Sequence, residues 1–506
     1  MGVLSALDGQ SVGIPSEIQP YLVHVALLAI TGSLLYSFYD AYFGPAGNTP
    51  GPLLARFTRL WELPEVRNGH FEQTNIALHK KHGPIVRIGP SKFSISDPAA
   101  VKVLYGAGSK FPKSPFYSTF GDPHNANLFS DLNMQRHSQK RRRVAGVYSM
   151  SALATYEPSV DRCNATLCRR LAEFAQTQAS VEVPDWMQFY AFDVIGEITT
   201  SQSFGFMEQG WDFNTILRSI HMLNVYGSRV GVFPEFHAWI AWLSRLVRIT
   251  IPLDVVLAYI DAQIAAREGR EEIPGRQPDF LAKMLGLKKA GKASDMDVTE
   301  AIGANIAAGS DTTSISLSSV IYGLCKNPDA ERKLQGEIDS FAAAGKLSDP
   351  VTFEQARQMP YLQACIKEGL RIHPATGRPL LRVVPSGGAT LAGQYFSAGV
   401  AVGVNPWVLH RNEDIFGAEP ERFRPERWLE GDAEKLARME QNFLSFGAGS
   451  RTCIGKNISL LEMSKVVPQL YRKFEFKLAH PGEMVTSEDW FVKQKFKCYV
   501  RLREFS

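Results

Sequence analysis

The sequence predicts a mainly α protein with a small β region, preceded by one N-terminal transmembrane helix. Three observations carry this. Two stretches, IVRIGPSKFSIS at 85–96 and RVVPSGGATLAGQYFSAGVAVGV at 382–404, have the β-branched, glycine-punctuated look of hairpins. Elsewhere helical patterns dominate. Near the start, YLVHVALLAITGSLLYSFY runs for 19 residues, Tyr21 to Tyr39, without Asp, Glu, Lys or Arg. Spanning a hydrocarbon core takes about 20 such residues.

The N-terminal segment is justified by its flanks. The first 20 residues hold no Lys or Arg, so the basic start of a cleaved signal peptide is missing. Arg56 and Arg59 follow the apolar run, which places that side in the cytosol. The expectation is a short lumenal N-terminus at 1–20, an anchor at 21–39, a stiff Pro/Gly hinge at 40–55 and a body at 56–506. The body would then face the cytosol from the endoplasmic reticulum membrane, held by a single pass.

The chain has ordinary globular composition, with 45% hydrophobic and 21% charged residues, which excludes a largely disordered chain. Lys+Arg exceed Asp+Glu by 55 to 51, too balanced to argue for nucleic acid. Six cysteines without a CxxC pair suggest neither a disulfide framework nor a zinc site, and fit a reducing compartment.

One helix is long. Asp297 and Glu300 have capping-box spacing, and an apolar-rich run continues to Lys326, before Asn327-Pro328. About 29 residues make roughly 43 Å. AAGSDTTS, at 307–314, interrupts it with a glycine and polar side chains that compete for backbone bonds. Such a locally unfavourable stretch points to function. A second helix begins at Pro360 and ends before His373-Pro374. Its Glu368 and Arg371 share a face and can pair, though most such pairs are solvated surface contacts.

The loop FGAGSRTCIG, 446–455, sets one cysteine among three glycines. Glycine lets the backbone double back on the sulfur, and N–H groups aimed at it favour thiolate, the form that binds metal. Arg451 and the start of a following helix act in the same direction. Most lone cysteines are inert buried hydrophobes. A catalytic nucleophile would need a histidine base nearby in the fold, and none is close in sequence. One cysteine cannot hold zinc alone, but it can supply one axial ligand to a porphyrin iron.

Together these motifs resemble the cytochrome P-450 superfamily. FGAGSRTCIG matches F-x-x-G-x-R-x-C-x-G at every fixed position, AGSDTT the oxygen-activation motif, and EGLR the E-x-x-R motif. PERW, 425–428, matches the segment whose arginine completes a Glu-Arg-Arg cluster. PERF, 420–423, offers Arg422 as the alternative to Arg427. The resemblance covers nearly the whole chain. HKKHGPIVRIGP, HSQKRRRV and AGSDTTS are particularly similar to filamentous-fungal members, including the pisatin-demethylase-like group.

The resemblance implies a P-450 fold binding haem b, with Cys453 as the iron ligand and Phe446 beside it. It implies that His137, Arg141, Arg382 and Arg451 hold the propionates. The family's W-x-x-x-R is replaced here by HSQKR, 137–141. Thr312 is expected to hydrogen-bond dioxygen and organise a water. Asp311 should relay protons, and Ala308 and Gly309 leave room for substrate. NADPH-derived electrons would come through a separate NADPH-cytochrome reductase. The pocket would draw on 112–131, the middle of the long helix, residues after Pro374 and the segment near Trp490, and would take a hydrophobic small molecule. The implied function is a monooxygenase of fungal secondary-metabolite biosynthesis. Alternatives are a detoxifying monooxygenase, a haem-thiolate isomerase and a non-catalytic haem-binding membrane protein.

Overall fold

Helices supply most of the chain because apolar residues recur along it at helical spacing. The structure is a computed structural model that describes residues 19–268, 277–482, 484–487 and 490–504. The expected lumenal segment therefore lies, through residue 18, outside the described residues. In chain order the helices that build and flank the site are α1 (Gln19–Phe43), α2 (Met134–Val144), α3 (Glu157–Thr177) and α4 (Val183–Thr200). They are followed by α5 (Ile216–Val230), α6 (Asp295–Lys326), α7 (Pro360–Ile372) and α8 (Lys456–Lys473).

The main core lies where α3, α4, α6, α7 and α8 meet. A helix buried on all sides needs no single apolar stripe. Thus α6 buries serines and threonines as well as Ile302, Leu317 and Val320. It is capped by Ser294, whose hydroxyl accepts from the Asp297 amide while the Asp297 carboxylate accepts from Ser294 N–H. The cap thus sits one turn before the Asp297–Glu300 box expected from sequence. Glu300 instead pairs with Lys140 of α2 at 2.6 Å, and Asp297 with Arg143 at 3.1 Å.

The hairpin expected at 85–96 forms as Ile85–Gly89 antiparallel to Lys92–Ile95. The latter strand pairs in parallel with Ala401–Gly403, which pairs with Arg382–Val383. The 382–404 stretch is thus divided. Its ends complete this four-stranded sheet, and its middle folds into a separate hairpin, Ala389–Leu391 with Gln394–Phe396.

The transmembrane expectation is corrected. Among the described residues no helix is long and apolar enough to cross a membrane. The 21–39 run does form a helix within α1, but His24, Thr31, Gly32 and Ser33 are interleaved with its apolar residues. Its last turns are fastened to the body. Arg56 donates to Ala41 O at 2.9 Å and lies over the Tyr42 ring, and Phe38 stacks on Phe57. The single-pass anchor, the endoplasmic reticulum membrane as a partner and the topology built on it are withdrawn with it.

Candidate active site

The cysteine loop owes its path to glycine. Gly447 and Gly449 adopt φ of 65° and 62°, and a Cβ on Gly449 would lie 1.8 Å from Tyr105 O. The fold-back is closed by Cys453 N–H donating to Phe446 O at 2.8 Å. Cys453 is exposed, yet the surface it exposes faces the cavity it lines. Burial by surrounding protein pushes its thiol up, and the Gly455 amide, Arg141 and the Lys456 amide oppose this in part. Phe446 lines the same cavity, with Lys456 over its ring.

One edge of the cavity is basic. His137 and Arg141 come from α2, Arg382 from its strand and Arg451 from the cysteine loop, and all four line the cavity. Arg141 donates to Thr452 O and Arg451 to Asp131 O, each at 2.8 Å. Arg382 lies over the Tyr105 and Tyr117 rings. Burial, with Arg451, Lys113 and Arg141 nearby, drives His137 down to about 3, so it is neutral at physiological pH. Lys113, which sequence reasoning missed, joins this edge. Its Nζ donates to Phe129 O at 2.6 Å and packs on the Tyr117 and Phe129 rings. Burial, then Arg382 and Arg451, push its pKa well below the usual lysine range. Its signal in the sequence is a lone lysine within the aromatic, proline-rich FPKSPF.

The opposite wall is α6, which presents Asn305, Ala308, Gly309 and Thr312. The helix runs unbroken through the motif expected to interrupt it. Thr312 Oγ1 donates to Ala308 O at 2.9 Å. A Cβ on Gly309 would meet Ile195 of α4 at 3.3 Å, so this glycine also permits close helix packing. Asp311 is fully buried and does not line the cavity. It accepts from Gln188 of α4 and Asn224 of α5 and pairs with Lys493 at 3.2 Å. The roof is aromatic, with Phe129, Trp490 and Phe491 closing the space above α6.

Behind the cysteine loop lies the charge cluster. Arg371 grips Glu368 with two bonds of 2.8 Å, and Arg427 Nε adds a third of 2.8 Å. Arg427 therefore takes the place in the cluster, while Arg422 pairs at the surface with Glu419. Burial alone pushes Glu368 up, but Arg371 and Arg427 hold it below the usual carboxylate range. His410 joins cluster to loop. Its Nδ1 meets Arg371 O at 3.0 Å, and its Nε2 accepts from Leu444 N–H at 2.9 Å.

The residues present fit a haem. A thiol lies on one side of the cavity and four potential cations line its edge. Asp131, the nearby carboxylate, is taken by Arg136 at 2.7 and 2.8 Å. Arg451 Nη2 is buried with no hydrogen-bond partner among the described residues. An unpartnered guanidinium nitrogen among unbalanced cations calls for an anion such as a propionate. Among the described residues no group of three or more His, Cys, Asp or Glu is placed to hold a metal, so a single thiolate ligand suits an iron that brings its own porphyrin.

Comparison with known proteins agrees. The family model described as Cytochrome P-450 matches residues 50–501. The chain is 40% identical over 505 residues to a pisatin demethylase of Fusarium vanettenii, covering 97% of this chain and 98% of that protein. It is 36% identical over 447 residues to a cytochrome P-450 monooxygenase of Aspergillus terreus, covering 84% and 89%. It is 34% identical over 499 residues to the monooxygenase gsfF of Penicillium aethiopicum, covering 95% and 98%.

Proposed function

This chain belongs to the cytochrome P-450 family, and from that membership we propose that it inserts one oxygen atom from dioxygen into a hydrophobic small molecule in fungal secondary metabolism. The observation that carries the reading is one cavity that joins the Cys453 thiol, a basic edge and Thr312 beneath an aromatic roof. Haem b, when bound, supplies the oxygen activation, with electrons from NADPH through a separate reductase.

The protein's part is to bind, orient and deliver protons. Cys453 would ligate the iron as thiolate, with the Gly455 and Lys456 amides favouring that form. Arg141, Arg382 and Arg451 would hold the propionates, and His137 can donate one further bond. Phe446 would pack beside the ring. Ala308 and Gly309 keep the α6 wall low, so a substrate carbon can approach, while Phe129, Trp490 and Phe491 exclude water. Thr312 would release Ala308 O to hydrogen-bond dioxygen, and Asp311, one residue away, would pass protons inward from the polar cluster behind α6.

The test is turnover under labelled dioxygen with NADPH and a fungal cytochrome reductase. The substrate offered is the compound that accumulates when the gene is deleted. One labelled oxygen atom in the product supports the reading. An unlabelled rearranged product would establish a haem-thiolate isomerase instead. An unchanged metabolite profile after deletion would point to detoxification of foreign compounds.

A further inference from the structure

The segment that roofs the cavity also reaches the buried acid behind α6. Trp490 is 2% exposed and packs against Phe116, Phe120 and Phe129 with ring centroids 5.3, 5.1 and 6.0 Å away. Three residues on, Lys493 Nζ lies 3.2 Å from Asp311 Oδ1. The Asp311 side chain is 1% exposed and the Lys493 side chain 20%, so this lysine stands between the carboxylate and solvent.

The link between these two ends is stiff. Gly377 N–H donates to Trp490 O at 3.0 Å, and Val492 N–H to Ala375 O at 2.8 Å. His373 Nε2 meets Val492 O at 2.7 Å. The Gln494 amide donates to Ile315 O of α6 at 3.0 Å. Extended chain pinned at four points leaves little slack between residues 490 and 494. A displacement of Trp490 by an arriving substrate must therefore be felt at Lys493.

We propose that Lys493 is the positioning residue for Asp311, and that the segment Trp490–Lys493 ties substrate seating to the supply of protons into the cavity. Asp311 passes the proton; Lys493 joins the Gln188 and Asn224 amides in holding the carboxylate and is the charged group on its side toward solvent. Without this partner the buried carboxylate would keep the neutral Gln188 and Asn224 bonds but lose its counter-charge and one of its three contacts among the described residues. The inference rests on the proton-relay role proposed above for Asp311.

The test uses the holoenzyme with its reductase, NADPH and dioxygen, without substrate, in ordinary and heavy water. Lys493→Met should slow NADPH oxidation about tenfold and raise its solvent isotope effect, because misplaced acids lose part of their catalytic benefit. Lys493→Arg should restore both. Trp490→Leu should give a smaller change of the same kind that adds nothing in the Lys493→Met background, as coupled sites do. A Lys493→Met enzyme with wild-type rate and isotope effect would overturn the positioning role if Asp311→Asn is itself slowed. If Asp311→Asn is also unchanged, the relay reading of Asp311 fails instead. Full additivity of the Trp490 and Lys493 changes would sink the tie between roof and relay.

Discussion

Cys453 and Lys113 face the same cavity, yet only one could be found from its neighbours. Three glycines and an arginine around Cys453 have one physical use, to fold backbone close around a sulfur. Nothing within FPKSPF says that the lysine turns inward. That depends on the strand of Arg382, far along the chain, which bridges to Lys113. Two predictions belong to this scale. Cys453→Ser should abolish the red-shifted carbon monoxide spectrum of the reduced protein, and an unchanged spectrum would refute the ligand assignment. Arg382→Leu and Arg451→Leu should each speed haem loss to an acceptor apoglobin by roughly tenfold to a hundredfold, since a charge-assisted hydrogen bond contributes about 1.5–3 kcal/mol. Unchanged transfer rates would remove them from the propionate set.

At the scale of elements, the helix geometry explains how the acid–alcohol pair is split. Adjacent residues on an α-helix point about 100° apart. Thr312 lines the cavity and Asp311, buried behind it, does not. The angle between the two was legible from the sequence. The polar cluster around Asp311 was not, because Gln188, Asn224 and Lys493 come from three distant elements. The E-x-x-R helix was read with its bounds nearly intact, since Pro360 and His373-Pro374 punctuate it. Within EGLR, the structure also gives the glycine a role. A Cβ on Gly369 would lie 2.5 Å from Val320 of α6, so the two helices cross where neither has room. Gly369→Ala should therefore destabilise the protein by about 1–3 kcal/mol through overpacking, despite alanine's better helix propensity. Glu368→Gln should cost about 3–5 kcal/mol, because Arg371 and Arg427 remain buried with a neutral partner. Denaturant midpoints measure both, and a Gly369→Ala midpoint above wild type would contradict the packing account.

Over the whole molecule, the buried histidines set its response to acid. The sequence marks eleven histidines but not which of them fold inward. The structure buries His373 and His410 fully, and burial drives them down to about 4 and about 3. His410 cannot charge without loss, because Nδ1 serves Arg371 O while Nε2 must keep its lone pair for Leu444 N–H. A proton on Nε2 would break the contact that joins the Glu368 cluster to the cysteine loop. The unfolded chain titrates near the ordinary histidine value of about 6.5. It therefore binds protons that the folded protein refuses. Stability is fully present above about pH 6.5 and falls as pH drops toward the folded values. At pH 5 each of these two histidines should cost about 2 kcal/mol, a large share of a net stability of about 5–15 kcal/mol. Glu368, held low by its arginines, stays ionised through this window and adds to the loss only in stronger acid. Urea unfolding near pH 7.5 and near pH 5 should show the drop. His410→Gln, whose amide can donate one bond and accept the other without titrating, should recover about 2 kcal/mol of it. If the drop is as large in His410→Gln as in the wild type, the acid sensitivity arises elsewhere and His410 is only a spacer between cluster and loop.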